Sequence, residues 1–430
     1  MREDFLSFIW QFQYFDAHDL TTSDGKSLQI ISAGSLNQDA GPDFEFAKIL
    51  IEDIDWAGNV EIHLKASDWQ QHRHEQNIAY NNVILHVVWE ENQAIRRNDE
   101  TSIPTLILKN RVNPKMLYSY QSLQAELGDI PCHRHFAQVK LLYHLTMLDK
   151  ALIQRLEKKG EHVLNLWEAN QKNWEETAYQ LLAQNFGFKT NAAPFLRLAQ
   201  NLPLKVLQKH RGDLSQIEAL LFGQAGFLKI LEEDDAEDYP KNIKKEYQFL
   251  AKKYELNSHI ISEVEWKFLR MRPPNFPTIR IAQFAQLINQ TDNLFAKLIQ
   301  GSSEELKKDF RIKQSSYWQT HYHFAKPATK TVSSLGLGSI ENIIINTAVP
   351  LLAAYSQAKD QSAYMEQAIL HLENLPAENN KILKMWGKLG LKVKTAFDSQ
   401  ALLELHKSYC LPKRCLSCTI GTSIVREGNN

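Results

Sequence analysis

Strict alternation of apolar and polar residues marks the first quarter of the chain, and a period of three to four residues marks most of the remainder. Phe5, Phe8, Ile9 and Phe12 share one face of a predicted amphipathic helix over residues 3 to 14. A turn at Ser23-Asp24-Gly25 precedes a short strand, SLQIISAG, that ends at Gly34. FAKILIED (46 to 53) and GNVEIHLKA (58 to 66) read as strands joined by a hairpin-like connection at residues 55 to 58. Ser67 or Asp68 caps a predicted helix running to about Tyr80, and VILHVVW and PTLILK supply the last strands. The predicted order is helix, three strands, helix, strand. From about residue 137 helical periods take over, separated by Gly, Pro and Asn, with no repeat of fixed length. These patterns divide the chain into an α+β domain over residues 1–115, a mainly helical region over 116–400 and a cysteine-rich segment over 401–430.

The strand GNVEIHLKA holds the densest chemistry. Alternation places Glu61, His63 and Lys65 on one face and Val60, Ile62 and Leu64 on the other. Asp43 follows a Gly-Pro turn upstream, and His72, His74 and His86 follow downstream. No other stretch concentrates as many groups able to bind a metal or move a proton.

Composition narrows the options. With 430 residues the chain is too long for one ordinary core. Lys plus Arg number 49 against 50 Asp plus Glu, so no bulk positive field draws it to nucleic acid and any such contact requires a local patch. One such patch is WKFLRMRPPNFPTIR, where Arg270, Arg272 and Arg280 flank a proline-rich turn with Phe276 available to stack on a base. The bland alternative is a helix junction whose arginines pair with Glu263 or Glu265. The N-terminus lacks the organisation of a signal peptide, and the apolar run over 343–355 is interrupted by Asn346 and Pro350, so a cytoplasmic protein outside the membrane is expected. The acidic run over 232–238 lacks EF-hand spacing and reads as a solvated loop. Gly336-Leu337-Gly338 reads as a turn before a helix, and His321-x-His323 as ordinary surface or interface residues. A nucleophile elbow, a Walker A loop and an HExxH helix are all missing.

Cys410-x4-Cys415-x2-Cys418 supplies three closely spaced thiols, and Cys132 is the expected fourth, with His133 or His135 able to replace it. Soft sulfur donors suit zinc or an iron–sulfur cluster. The set is similar to the split cysteines of certain iron–sulfur-bearing nucleases, except that Cys132 follows the α+β core here instead of preceding it.

GPDF, GNVEIHLKASDW, ILHVVWE, IEALLFGQAGFL and MRPPNFPTIRIAQFAQL resemble, over nearly the whole chain, a bacterial family labelled only as a domain of unknown function. Separately, Pro42-Asp43, an intervening strand and Glu61-x-His63 resemble the PD-(D/E)xK nucleases. That resemblance implies an αβββαβ, restriction-endonuclease-like fold and metal-dependent hydrolysis of DNA or RNA phosphodiesters, with Asp43 and Glu61 holding Mg²⁺ or Mn²⁺. The family's lysine is replaced by His63, and Lys65 lies two residues further on. The alternatives are a non-catalytic nucleic-acid or protein-interaction module on a degenerate nuclease fold, and a transition-metal hydrolase built from His63, His72, His74, His86 and carboxylates.

Overall fold

The structure, a computed structural model, describes residues 1–427 except 98, 230–236 and 325. Most of the acidic run over 232–238 therefore lies outside the described residues. Two units are present: residues 1–149 together with 405 onward, and residues 150–404. The first unit is larger than the expected 115-residue domain, because a further helix, Pro114–Ala125, and the cysteine-bearing C-terminus both belong to it.

In the first unit, helix α1 (Glu3–Gln11) buries Phe5, Leu6, Phe8, Ile9 and Trp10, an apolar surface too broad to remain in water. Phe5 stacks on Tyr120, whose hydroxyl donates to Asp4. Strands β1 (Leu28–Ser32), β2 (Ser35–Leu36), β3 (Phe44–Ile51), β4 (Ile54–Lys65), β5 (Val83–Glu90) and β6 (Thr105–Ile107) form one sheet in the order β1-β3-β4-β5-β6, with β2 added on β3. β1 and β4 each pair antiparallel with β3 between them, whereas β4-β5 and β5-β6 pair in parallel. Parallel return requires a crossover. Residues 66–82 provide it between β4 and β5.

Two local expectations are corrected. The β3–β4 turn is the two-residue link Glu52-Asp53, and residues 55–58 continue β4. Gly58 is not a turn glycine: a Cβ there would lie 2.5 Å from Ile84 Cγ2 and 2.6 Å from the Asn82 carbonyl. The helix expected from Ser67 to Tyr80 is a single turn, α2 (Asp68–Gln71), followed by short 3₁₀ turns over His74–Gln76 and Ile78–Tyr80. Arg73, at φ +59°, breaks it. The break lets Trp69, His74 and Tyr80 all turn inward, so burial overrides the capped helical pattern.

The second unit is helical, as its periodicity predicts, with a two-stranded ribbon of His321–His323 and Lys326–Pro327. Residues 337–359 are long and apolar enough to cross a membrane by composition, yet 67% of that window is buried inside the protein. A polar network joins its helices: Glu404 accepts from Lys158 at 2.6 Å, and Gln400 accepts from Arg155 and from Lys159.

Candidate metal centre

Register brings Asp43 to Glu61. From Ala47↔Gly58 to Ile51↔Ile54 the β3–β4 pairing is regular, but Phe44 pairs with Val60, so one extra residue is inserted between. The bulge is at Phe46, which takes φ +60° and is left 78% exposed. Without it Asp43 would stand opposite Ile62; with it Asp43 stands opposite Glu61. Side chains close the ladder there: the Asp43 N–H donates to Glu61 Oε2 at 3.1 Å, and the Ile62 N–H donates to Asp43 Oδ2 at 3.0 Å.

Glu61, His63 and His86 share one face, because Glu61 pairs with His86 and His63 with Val88 across β4 and β5. The crossover lays Trp69, His72, His74 and Tyr80 nearby, Trp69 packing edge-on to both His74 and His86, and Tyr80 stacking on His74 at 3.8 Å. His63 is 1% exposed and His86 fully buried, whereas His72 is exposed and opens the group to solvent. Donor atoms of His63, His72 and His74 all lie within 4.8 Å of one another. His63 Nε2 is 3.1 Å from His72 Nδ1 and 3.6 Å from Glu61 Oε1, and His74 Nε2 is 3.2 Å from Glu61 Oε1.

Those separations are the test of fit. Ligands about 2.1 Å from a tetrahedral ion stand about 3.4 Å apart. The His63–His72, His74–Glu61 and His63–Glu61 spacings, 3.1, 3.2 and 3.6 Å, bracket that value, and the donors that all lie within 4.8 Å of one another are those of the three histidines. Hydrogen bonds join His63 to His72 and to His86 but leave out His74: although close to Glu61, its Nε2 is not aligned for a hydrogen bond, and its Nδ1 is also unpartnered. A buried polar atom without a partner is costly unless something else satisfies it.

Electrostatics point the same way. Burial, then the neighbouring imidazoles His86, His74 and His72, push the His63 pKa down to about 2. Burial, then His74, lowers His86 to about 3. Both rings are therefore neutral near pH 7, the form that coordinates a metal. His63 Nδ1 and His86 Nε2 are 2.8 Å apart. If Nε2 of His63 faces an ion, its Nδ1–H donates to His86, the usual way a ligating imidazole is oriented. Burial, then repulsion from Glu61, raises Asp43, and burial with the same two carboxylates lifts Tyr80 to about 12. A divalent cation would relieve both.

Of the residues singled out in sequence, the fold assembles Asp43, Glu61, His63, His72, His74 and His86. Lys65 is not buried with them: it is exposed at the last position of β4, paired with Glu90 in register. Glu3 is a participant that sequence reasoning missed, its carboxyl raised by burial and by Asp68 and Glu61 against the lowering effect of His72. Trp69 and Tyr80 were also missed, since an aromatic walling a site looks in sequence like any core aromatic.

Cys132, Cys410, Cys415 and Cys418 are all reduced and buried. Burial, then the other three sulfurs, drives the Cys410 thiol pKa far up, and Cys132 rises to about 12 from burial, Cys418 and Cys415. The fold has gathered one thiol from the first third of the sequence and three from its last twenty-one residues.

The arginine patch separates. Arg270 and Arg272 are exposed, but Arg280 is 5% exposed and bonded to Asn275, Gln283 and Ser339. It is therefore removed from the surface contacts expected for a nucleic acid. Glu263 and Glu265 pair with His323 and Arg197.

Over residues 3–381 the chain matches the family described as "Protein of unknown function (DUF2851)", and it belongs to that family. The matched stretch ends before Cys410. No curated protein and no solved structure matches the chain.

Proposed function

We propose that this member of a family of unknown function is a metal-dependent hydrolase of phosphodiesters, and that His63, His72, His74 and Glu61 hold its ion. The observation that carries the reading is the group of three histidines whose donors lie within 4.8 Å of one another, with Glu61 Oε1 3.6 Å from His63 and 3.2 Å from His74 and both nitrogens of buried His74 unpartnered. Three nitrogen donors and one carboxylate favour Zn²⁺ or Mn²⁺ over the Mg²⁺ expected for a simple carboxylate pair. Such an ion supplies a Lewis acid and an acidified water. The chain's own part is to orient His63 through His86, to offer Glu61 as ligand or proton acceptor, and to keep Asp43 beside it with a raised affinity for a proton.

The substrate class rests on topology. An antiparallel β1-β3-β4 set, a crossover and a parallel β5, with an aspartate entering β3 and a glutamate on β4, agree with a restriction-endonuclease-like core. Lys65 and Arg73 are exposed on either side of His72 in sequence and offer charge to a phosphate. The buried neutral His63 cannot supply the cation that a lysine gives in that superfamily.

The test is metal content by mass spectrometry of wild type and His74→Ala, with cleavage of labelled single- and double-stranded DNA and RNA in Zn²⁺, Mn²⁺, Mg²⁺ or EDTA. Near-stoichiometric Zn or Mn lost in His74→Ala supports the centre, and EDTA-sensitive cleavage lost in Asp43→Asn supports the activity. Metal without cleavage of any substrate leaves a binding module on the same scaffold.

The four cysteines support a second, sulfur-ligated site. Tetrahedral zinc at about 2.3 Å would draw its sulfurs to about 3.8 Å from one another. The group of donors within 4.8 Å among the described residues is the histidine set. Four soft sulfur donors suit an iron–sulfur cluster, the occupant proposed here, as well as zinc. Iron and acid-labile sulfide in the purified protein, both lost in Cys132→Ser, are expected; zinc bound by all four sulfurs would reverse the choice, and neither metal would remove the site.

A further inference from the structure

Lys159 lies inside the polar network of the second unit, on the helix Leu141–Ala169. At the next residue, Gly160, an added Cβ would stand 3.2 Å from the Ala354 backbone nitrogen and 3.3 Å from the Ala353 carbonyl carbon, so two helices approach closely here. The lysine amine is held between two amide oxygens: Nζ donates to Asn346 Oδ1 at 3.0 Å and to Gln400 Oε1 at 3.0 Å. Both amides are fixed in orientation by their other ends. Asn346 Nδ2 donates to the Asn342 carbonyl at 2.8 Å, and Gln400 Nε2 donates to Glu378 Oε2. Each therefore presents its oxygen to the lysine.

These partners fit an uncharged amine. An ammonium carries three N–H donors, whereas a neutral amine carries two and keeps a lone pair. Two neutral acceptors match the two donors. The Gln400 oxygen is also shared, because Arg155 Nε donates to it at 2.6 Å. Guanidinium and amine thus converge on one uncharged oxygen, where a second positive charge is repelled. The carboxylates of the network meet other groups: Glu404 pairs with Lys158 and Arg155, and Glu378 accepts from Gln400 and Asn342. Burial, then Arg155, against the attraction of Glu378 and Glu404, lowers the Lys159 pKa to about 7. Desolvation and a neighbouring cation are the two conditions that turn a lysine into a nucleophile.

We infer that Lys159 is a nucleophilic modification site that takes an acetyl group from a small acyl phosphate. Its lone pair attacks the carbonyl carbon and an N–C bond forms. The C–O bond to phosphate breaks, its electron pair leaving on the phosphate, and one amine proton passes to solvent. The product amide is uncharged, so Arg155 and Lys158 stay balanced against Glu378 and Glu404, and it keeps one N–H for an amide oxygen. Other electrophiles fit less well: a Schiff base gives up both N–H groups or restores a charge beside Arg155, and a carbamate tips the network to net negative. The residue keeps partial exposure, which leaves a small donor a path inward, and the Lys158 side chain beside the network is half exposed and can meet the donor's phosphate. The metal centre has no part in this reasoning, so the two proposals fail separately.

The test exposes the full chain to acetyl phosphate and follows acetylation of each lysine by peptide mass spectrometry across a range of pH. At pH 7 an amine of pKa about 7 is half neutral, whereas an ordinary lysine is neutral in about one molecule in 2,500. Lower basicity and burial offset part of that advantage. Lys159 is expected to react at least tenfold faster than exposed Lys252 at pH 7, with a rate that levels off above about pH 8 while that of exposed lysines keeps rising. Asn346→Asp gives the amine a carboxylate in place of a neutral oxygen and restores its proton. It is expected to slow Lys159 at least tenfold at pH 7 and to move the plateau to higher pH; should this variant not fold, the wild-type profile decides alone. A Lys159 rate at or below that of Lys252, a rate still climbing steeply through pH 9, or an equal rate at pH 7 in Asn346→Asp overturns the site.

Discussion

His86 offers a quantitative check on the buried imidazole cluster. It is fully buried on β5, its pKa falls from an ordinary 6.5 to about 3, and its Nδ1 has no partner. The folded state therefore holds it neutral, while the unfolded chain takes up a proton below 6.5. Its contribution is present in full above that pH and is lost as the pH falls toward 3. At about 1.36 kcal/mol per pH unit, moving from about pH 8 to about pH 5 crosses 1.5 units of the window and costs about 2 kcal/mol. The perturbation is His86→Leu in protein stripped of metal. The substitution leaves His63 Nδ1 without its partner, a cost of about 1 to 3 kcal/mol that does not vary with pH. Asp43 shifts oppositely: its folded pKa is raised to about 7, so its contribution is held at low pH and lost as the pH rises through 7. It is common to both proteins and cancels in the comparison. The assay is amide exchange at Val87 and Val88, corrected for intrinsic rates. Between the two pH values wild-type protection should fall roughly thirty-fold further than that of the variant, the equivalent of 2 kcal/mol. Parallel pH profiles would show that His86 is charged or solvated in the native state and would refute the buried neutral cluster.

Three further outcomes are expected. Gly58→Val drives a side chain into Ile84 and the Asn82 carbonyl and lowers stability by about 2 to 3 kcal/mol, read in denaturant unfolding. Glu404→Gln strands the Arg155 and Lys158 charges that now meet a buried carboxylate, costing about 3 kcal/mol in the same measurement. EDTA lowers the unfolding temperature of wild type but leaves that of His74→Ala unchanged, as calorimetry would register.

The sheet was legible because alternation is a strong signal where one face is buried. β4 and β5 stand out through Val60, Ile62, Val83, Leu85 and Val87, all buried. The β3–β4 turn was misplaced because Asp55-Trp56-Ala57-Gly58 has turn-like composition, whereas the true turn, Glu52-Asp53, carries no glycine at all. Gly58 owes its identity to a close approach by a neighbouring strand, which local sequence does not contain. The broken crossover was hidden for the same reason: Arg73 adopts a left-handed conformation so that residues on both sides can be buried.

The site was legible as a list of residue types, but its chemistry depends on a one-residue slip. Counting from the β3–β4 turn, regular pairing sets Asp43 against Ile62, on the opposite face from Glu61, and the acid pair would not exist. The Phe46 bulge corrects the phase, at the expense of a left-handed, outward-facing phenylalanine. Alternation along β4 was read correctly for Glu61 and His63. It misjudged Lys65, because burial ends before the strand does and the ammonium is left on the exposed side of that boundary. In the proposed centre, with the lysine outside and His72 and His74 brought in by the crossover, the donors would be three nitrogens and an oxygen in place of the two oxygens expected from sequence. Such a set would favour Zn²⁺ or Mn²⁺ over Mg²⁺. It follows from the geometry of one bulge and one interrupted helix, neither of which has a signature in the run of residues that forms it.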